Sequence, residues 1–522
     1  MVERVNLYDT TLRDGAQTEG VSFSPEDKLD ILAKLDAFGI DFVEGGFPAS
    51  NPKDKAFFKA AAKLELRHAK LVSFGSTRKA GAKAAADASM KALIDAGTEY
   101  VCIFGKSWDL HAEKALGVSL EENLEIIEDS VSFLAGKGRK VIFDAEHFFD
   151  GFKANAEYAL EALHTAEEAG AEYLVLCDTN GGSLPSEVAK AVRKVRRSSK
   201  VEIGVHAHND SELAVANSLA AVEAGASMVQ GTINGLGERC GNANLCSIIP
   251  ALMLKMGKRT GVKDLSGLTS TANFVGEIVN ILPDQRMPYV GKSAFAHKGG
   301  VHVSAVLKDP RTYEHISPEL VGNMRRILVS ELAGTSNILA KAKELGIEEE
   351  KDKGKLILEK LKQLESKGYQ FEAAEASFEL LVRRLRGESF TPFKLEGFRI
   401  FVDVSGDIMR SEASVKVVDP NGLVEHTASD GNGPVNALDR ALRKALERFY
   451  PEIKQIRLID YKVRVIDAKQ ATAASVRVLI RSTDGEMTWT TVGVSENIIE
   501  ASLMALIDSM EYKLLKTLNG KR

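Results

Sequence analysis

The stretch Val5-Asn6-Leu7-Tyr8-Asp9-Thr10-Thr11-Leu12-Arg13-Asp14-Gly15, taken together with the segment from Ser24 to Gly45, decides the fold. Val5–Tyr8 is an apolar run of the length of one buried strand, and it gives way at once to polar residues. Ser24 can cap a helix, Pro25 suits its first position, and Asp27 favours its positive end. Leu29, Leu32, Leu35 and Phe38 make one apolar stripe, Gly39 can end the helix in a left-handed conformation, and a second strand, Phe42–Gly45, follows. The same unit recurs. Lys70–Phe74, Tyr100–Phe104, Val141–Ala145, Tyr173–Cys177, Glu202–His206 and Met228–Gly231 bring the strands to eight, with starts roughly 26 to 41 residues apart. That spacing leaves room for one crossover helix each. Eight units over about 260 residues predict a (β/α)8 (TIM) barrel. The competing arrangement is a doubly wound open sheet, but the count is eight and no GxGxxG follows the first strand.

Outward from the barrel, assigned to residues 1–265, the pattern changes. Residues 266–390 read as helical linker subdomains, with a Gly/His-rich stretch, Ala296-His297-Lys298-Gly299-Gly300-Val301-His302, and a charged run from Glu348 to Lys355 expected to be a solvated helix end and linker. Residues 391–522 are strand-rich and repeat themselves. Ala413-Ser414-Val415-Lys416-Val417 is echoed by Ala474-Ser475-Val476-Arg477-Val478, and each is followed by a hairpin signal, Asn421-Gly422 and Asp484-Gly485, that suits a type I′ turn. An amphipathic helix comes next in each copy, with Val435, Leu438, Leu442 and Leu446 in the first and Ile499, Leu503, Leu506 and Met510 in the second. Two strand–strand–helix repeats form an α+β module. It serves dimerisation, or it senses a ligand between the copies.

Composition excludes several classes. The 522 residues carry 68 Lys+Arg and 73 Asp+Glu, a net charge of −5, with 44% hydrophobic and 27% charged residues. These are values of an ordinary globular chain, far from disorder and without the basic excess of a nucleic-acid surface. No apolar run approaches the roughly 18 residues of a membrane span, and the opening Met1-Val2-Glu3-Arg4 has no secretory core. Cys102, Cys177, Cys240 and Cys246 form no CxxC and no disulfide framework, so a reducing, cytoplasmic setting is expected.

In such a barrel the chemistry sits at the C-terminal ends of the strands. Polar residues collect there: Asp9 to Gly15 after the first strand, Glu44 at the second, Ser73 to Arg78 at the third, Asp144 to His147 at the fifth, Asp178 to Asn180 at the sixth, His206 to Asp210 at the seventh, and Asn234 to Asn242 after the eighth. His206 and His208 are two apart, so in extended backbone both face one way and can share a divalent ion. Barrel closure brings the eighth strand against the first, so Asn242 and a carboxylate from the first loop come close to them. Two histidines, an aspartate and an asparagine suit Zn2+ or Mn2+, with Mg2+ also compatible. Arg13 offers a permanent cation for a carboxylate or an enolate oxygen; its structural alternative is a partner for Asp9 or Glu44. Asp144 and Glu146 share one face and can divide acid and base roles, or support neighbouring side chains. Thr179 can donate to a substrate carboxylate or act as a cap. The glycines from Gly231 to Gly241 fit phosphate binding or close packing equally, and Glu238–Arg239 reads as a structural ion pair. Cys102 and Cys177, within strands, read as core.

Asp9-Thr10-Thr11-Leu12-Arg13-Asp14-Gly15, His206-x-His208-Asn209-Asp210 and Asn234-Gly-Leu-Gly-Glu238-Arg239-x-Gly241-Asn242 together resemble the metal-dependent acyl-CoA-condensing enzymes, the 2-isopropylmalate/homocitrate/citramalate synthase family. The resemblance spans barrel, linker and repeats. Ser73-Phe74-Gly75-Ser76-Thr77-Arg78-Lys79-Ala80-Gly81 is most similar to the citramalate branch. The resemblance implies a Claisen-type condensation of acetyl-CoA with pyruvate to (R)-citramalate and CoA, in isoleucine biosynthesis. It implies metal ligands Asp14, His206, His208 and Asn242, catalytic roles for Arg13 and Glu146, and a homodimer in which His302 and Tyr313 complete the neighbouring subunit's site. Contacts to the substrate would come from Arg13, Glu44, Asp144, Thr179, Phe74 and Phe104. The two aromatics leave room for a methyl group and so favour pyruvate over 2-oxoisovalerate, though one methylene is worth only about 1–3 kcal/mol. Isoleucine is the implied effector of the C-terminal domain. The alternatives are a sister 2-isopropylmalate or homocitrate synthase, an acyl-CoA lyase or aldolase on the same barrel, or a sensor that has lost its chemistry.

Overall fold

The computed structural model describes residues 3–281, 283–329, 335–344, 351–388, 390–405, 408–466 and 474–519. Of the charged run Glu348–Lys355, residues 348–350 lie outside these residues and the rest opens the helix Lys351–Ser366. The chain divides into two compact units, Met1–Phe295 with Ile316–Met324, and Ala296–His315 with the remainder.

The first unit is a closed parallel barrel of eight strands in sequence order: β1 (Asn6–Asp9), β2 (Phe42–Gly46), β3 (Lys70–Ser76), β4 (Tyr100–Lys106), β5 (Lys140–Glu146), β6 (Ala171–Asp178), β7 (Glu202–Ala207) and β8 (Met228–Gly231). β8 closes on β1 with Asn6 opposite Met228 and Asp9 opposite Gly231. The first crossover helix, Pro25–Phe38, is built as its sequence dictates: Ser24 and Asp27 form a reciprocal capping box, and Gly39 ends it at φ 102°. Side chains that alternate inward fill the barrel with Tyr8, Phe42, Tyr100, Cys102, Ile142, Val175, Cys177 and Met228. The opposite parity packs against the helices with Leu7, Val43, Val101, Phe143, Leu176 and Val205. Both faces are buried, which is why these strands read as continuous apolar runs. Cys102 and Cys177 are core, as their position in strands predicts, and burial pushes both thiols far up.

In the second unit, β9 (Ala296–His297) pairs in parallel with β10 (Arg326–Ile327). Helices Gly300–Lys308, Thr335–Glu344, Lys351–Ser366 and Glu375–Leu385 follow the expected helical character. The repeats contain one strand more than the sequence pattern indicates. β11 (Lys394–Ser405), β12 (Ile408–Val418) and β13 (Val424–Gly431) form one antiparallel sheet under helix Pro434–Leu446. β14 (Arg457–Val465), β15 (Val476–Thr483) and β16 (Thr488–Ser495) form the other under helix Ile498–Asn519. The unit is therefore strand–strand–strand–helix. The leading strands escape detection because charges interrupt them, as in Arg457-Leu458-Ile459-Asp460-Tyr461-Lys462, and their apolar residues face outward. In both copies a threonine of the third strand donates to a helix carbonyl, Thr427 to Ala441 and Thr491 to Ala505, at 3.0 and 2.7 Å.

The hairpins also differ from the type I′ expectation. Neither Asn421 nor Asp484 has positive φ. Pro420 fixes a right-handed residue before Asn421, and Gly422 alone turns left-handed, as in a type I turn with a glycine bulge. In the second copy Gly485 carries the positive φ at the first loop position, the II′ pattern. No described helix is long and apolar enough to cross a membrane.

Candidate metal and condensation site

The loop after β1 is shaped by its own polar residues. Asp9 accepts from the Thr11 amide and hydroxyl, and the Thr11 hydroxyl accepts from the Ile233 amide across the closing seam. Burial pushes the Asp9 carboxyl up to about 7. The amides of Arg13, Asp14 and Gly15 all turn back to the Thr10 carbonyl, so Arg13 and Asp14 project over the barrel mouth.

Asp14 meets the end of β7 there. Its Oδ2 lies 3.4 Å from His206 Nε2 and 4.0 Å from His208 Nε2, and the two imidazole nitrogens are 3.3 Å apart. Asn242 joins them, 2.9 Å from Asp14 and 3.4 Å from His206. It is held in place by backbone: His208 and Asn242 form a β-bridge, and the amide of Ala243 donates to the Ala207 carbonyl. The glycines before it serve close packing. A Cβ on Gly237 would stand 2.0 Å from Asn242 Oδ1, and one on Gly241 would stand 2.1 Å from the Gly235 carbonyl.

The cluster has the character of an ion site. Donor atoms of Asp14, His206 and His208 all lie within 4.8 Å of one another. Asp14 Oδ1, His208 Nδ1 and Asn242 Oδ1 are buried without hydrogen-bond partners, and an orphaned buried polar group costs about 1–3 kcal/mol. Burial and the neighbouring His206 push His208 down to about 3, which leaves the neutral imidazole that ligates metals. Burial opposes charge on Asp14, but Arg13 and the histidines hold its carboxyl far below the usual range. Two imidazole nitrogens and a carboxylate oxygen, with the Asn242 amide beside them, fit a divalent metal ion.

A cavity of about 590 Å³ opens beside this cluster, lined by Arg13, Asp14, Phe74, Phe104, Asp144, Glu146, Thr179, His206 and His208 among others. Arg13 is clamped between Asp14, at 3.2 Å, and Glu44, and its guanidinium lies 3.8 Å over the Phe74 ring. Phe74 stacks on Phe104 with centroids 5.5 Å apart. Thr179 Oγ1 accepts from the His147 amide, so its own hydroxyl proton is free to donate. Asp144 is buried at the cavity floor, and burial together with Glu44 pushes its carboxyl up to about 6.

Two placements depart from the sequence reading. Glu44 does not line the cavity: it is fully buried, and its two oxygens are taken by Tyr8 and Arg13, which makes it the anchor of Arg13 rather than a substrate contact. Arg239 is tied to Asp210 at 2.7 Å and to the Thr179 carbonyl, with Glu238 only at 3.7 Å, because its left-handed backbone turns it toward the β6 and β7 loops. Glu146 forms an ion pair with Lys106. His302 and Tyr313 belong to the second unit, where their rings stack at 4.2 Å.

Sequence reasoning passed over Tyr8, Lys106 and Gln230. Tyr8 donates to Glu44 at 2.7 Å, and Gln230 bridges His206 and Asp144 at 2.9 and 3.0 Å. A signal existed for Gln230: it shares the inward parity of Met228, a polar residue where an apolar one is expected.

The comparisons agree along the whole chain. Residues 4–275 match the HMGL-like family, 289–369 the homocitrate synthase post-HMGL domain-like family, and 372–514 the LeuA allosteric (dimerisation) domain. The chain is 57% identical to an (R)-citramalate synthase of Aquifex aeolicus over 99% of both chains. It is 56% identical to one of Geobacter sulfurreducens, over 98% of both chains, and 53% identical to one of Synechocystis, over 97% of this chain and 96% of the relative. With barrel, candidate metal cluster and repeats all in place, the chain belongs to the HMGL-like family and, within it, to the (R)-citramalate synthases.

Proposed function

We infer that the protein condenses acetyl-CoA with pyruvate and hydrolyses the thioester formed, giving (R)-citramalate and free CoA. The observation that carries this reading is identity above one half to (R)-citramalate synthases over nearly the full length of both chains. The methyl carbon of the acetyl group loses a proton and bonds to the keto carbon of pyruvate. The keto oxygen takes up the proton as the new alcohol, and water then cleaves the C–S bond.

Asp14, His206, His208 and Asn242 are the proposed ligands of a divalent ion, Zn2+ or Mn2+ in the first instance. When bound, the ion supplies Lewis acidity toward the 2-oxo acid. Arg13, held rigid by Glu44 and Phe74, polarises the keto oxygen and stabilises negative charge there. Thr179 donates its hydroxyl to the substrate carboxylate. Phe74 and Phe104 bound the methyl end and disfavour larger 2-oxo acids. Glu146, oriented by its ion pair with Lys106, removes the acetyl methyl proton or orients the group that does. His302 and Tyr313 are proposed to reach the site of a second copy, which makes a homodimer the working unit. The match to an allosteric dimerisation domain supports this and a regulatory role for residues 391–522; isoleucine is the effector proposed. Four free cysteines fit a cytoplasmic setting.

The test is release of CoA thiol from acetyl-CoA with pyruvate, 2-oxobutanoate, 2-oxoisovalerate and 2-oxoglutarate in parallel, with and without chelator. Chelator-sensitive release that strongly prefers pyruvate is expected. A preference for 2-oxoisovalerate or 2-oxoglutarate overturns the substrate assignment, and no release with any acid overturns the condensation.

A further inference from the structure

We propose that Gln230 is a positioning residue that fixes which ring nitrogen of His206 is free to bind metal and ties that ligand to Asp144 at the cavity floor. His206 and Gln230 are direct cross-strand partners in the β7–β8 register. Gln230 is fully buried, with its Oε1 2.9 Å from His206 Nδ1 and its Nε2 3.0 Å from Asp144 Oδ1. An amide oxygen can only accept, so His206 must carry its proton on Nδ1. The lone pair then sits on Nε2, the nitrogen that faces Asp14, His208 and Asn242. The opposite tautomer would point a proton into the cluster and abolish ligation. The amide is itself held one way round: Asp144 accepts from its NH2 group, which leaves only the oxygen for His206. A residue that contributes no donor atom to the ion thus sets the protonation pattern of one that does.

The inference rests on the metal assignment above, and its test reads metal affinity rather than turnover. Zn2+ and Co2+ binding to the full-length protein is titrated against a competing chelator for wild type, Gln230→Leu and Gln230→Glu. Loss of the acceptor in Gln230→Leu is expected to weaken binding about 10- to 100-fold, and Gln230→Glu, which keeps an acceptor toward Nδ1, is expected to restore it. Gln230→Leu with wild-type affinity overturns the proposal. If Gln230→Leu does not fold, nitrogen-15 shifts of the His206 ring in wild-type protein decide: a ring protonated on Nδ1 is expected, and a neutral ring protonated on Nε2 alone overturns the proposal. A wild-type protein that binds neither ion overturns the metal assignment and this inference with it, whereas normal wild-type binding with an indifferent Gln230→Leu overturns only this one.

Discussion

The barrel mouth and the C-terminal sheets are opposites in what they bury. At the mouth, Asp9, Asp14, Glu44, Asp144, His206, Gln230 and Asn242 are all buried, and their polar atoms are answered by one another or, as with Asp14 Oδ1 and Asn242 Oδ1, left without a partner. On the leading strands of the two repeats, apolar side chains are left in the open: Phe401 is 58% exposed and Val404 61%, and Ile459 and Val465 are about half exposed. The other face of each sheet is packed in the ordinary way, with Ala413, Val415 and Val417 under Leu438 and Leu442, and Val478 and Ile480 under Leu506 and Met510. Buried polarity concentrates electrostatics for chemistry. Exposed apolar surface stores binding energy for a partner. One chain separates the two uses into its two units.

The contrast can be broken at four points. His206→Ala removes a nitrogen from the cluster, and turnover should fall by about 10³-fold or more, with loss of bound metal in the same preparation. A variant with normal turnover and metal content would exclude His206 as a ligand.

Asp144 offers a test through stability. Its carboxyl titrates at about 6 in the fold and at about 3.9 in an unfolded chain. Between those values the native state holds the extra proton, so this group makes the protein lose stability as pH rises through the window, by about 3 kcal/mol in total. In metal-free protein, urea unfolding of Asp144→Asn at several pH values from 4 to 7 should show a stability profile flatter by that amount; an unchanged profile would place Asp144 in a wetter setting.

Gly237→Ala should lower metal affinity about 10-fold or more by displacing Asn242, since the added Cβ would sit 2.0 Å from its Oδ1. Equilibrium dialysis with Zn2+ checks this, and unaltered affinity would mean that Asn242 is dispensable. Phe401→Ser should have the smallest effect on the fold, within about 0.5 kcal/mol, while weakening self-association measured by sedimentation. A dimer of undiminished affinity would show that this sheet face is not the contact.

The same contrast explains how much was legible in the sequence. Eight parallel strands buried on both faces declare themselves as apolar runs, and Ser24-Pro25 and Gly39 mark the helix between the first two. The residues that converge on the mouth are visible because each stands at a strand end. What could not be read is pairing that only register creates. Gln230 meets His206 because β8 lies beside β7 in one alignment, and Lys106 meets Glu146 because β4 lies beside β5. The strands β11 and β14 hid for the opposite reason: with one face turned outward and charges interspersed, they lack the signature of burial on which strand recognition depends.

The candidate metal cluster also straddles the seam of the barrel, since Asp14 and Asn242 touch across 228 residues of sequence. On a ribosome that adds about 5–20 residues per second, the first of these emerges roughly ten to fifty seconds before the second. Through that interval the nascent chain holds a carboxylate, an arginine and then two histidines with no site in which to use them. A site built from all four residues therefore cannot form before the last strand closes, and a chain that ends short of Asn242 lacks the residue that completes it.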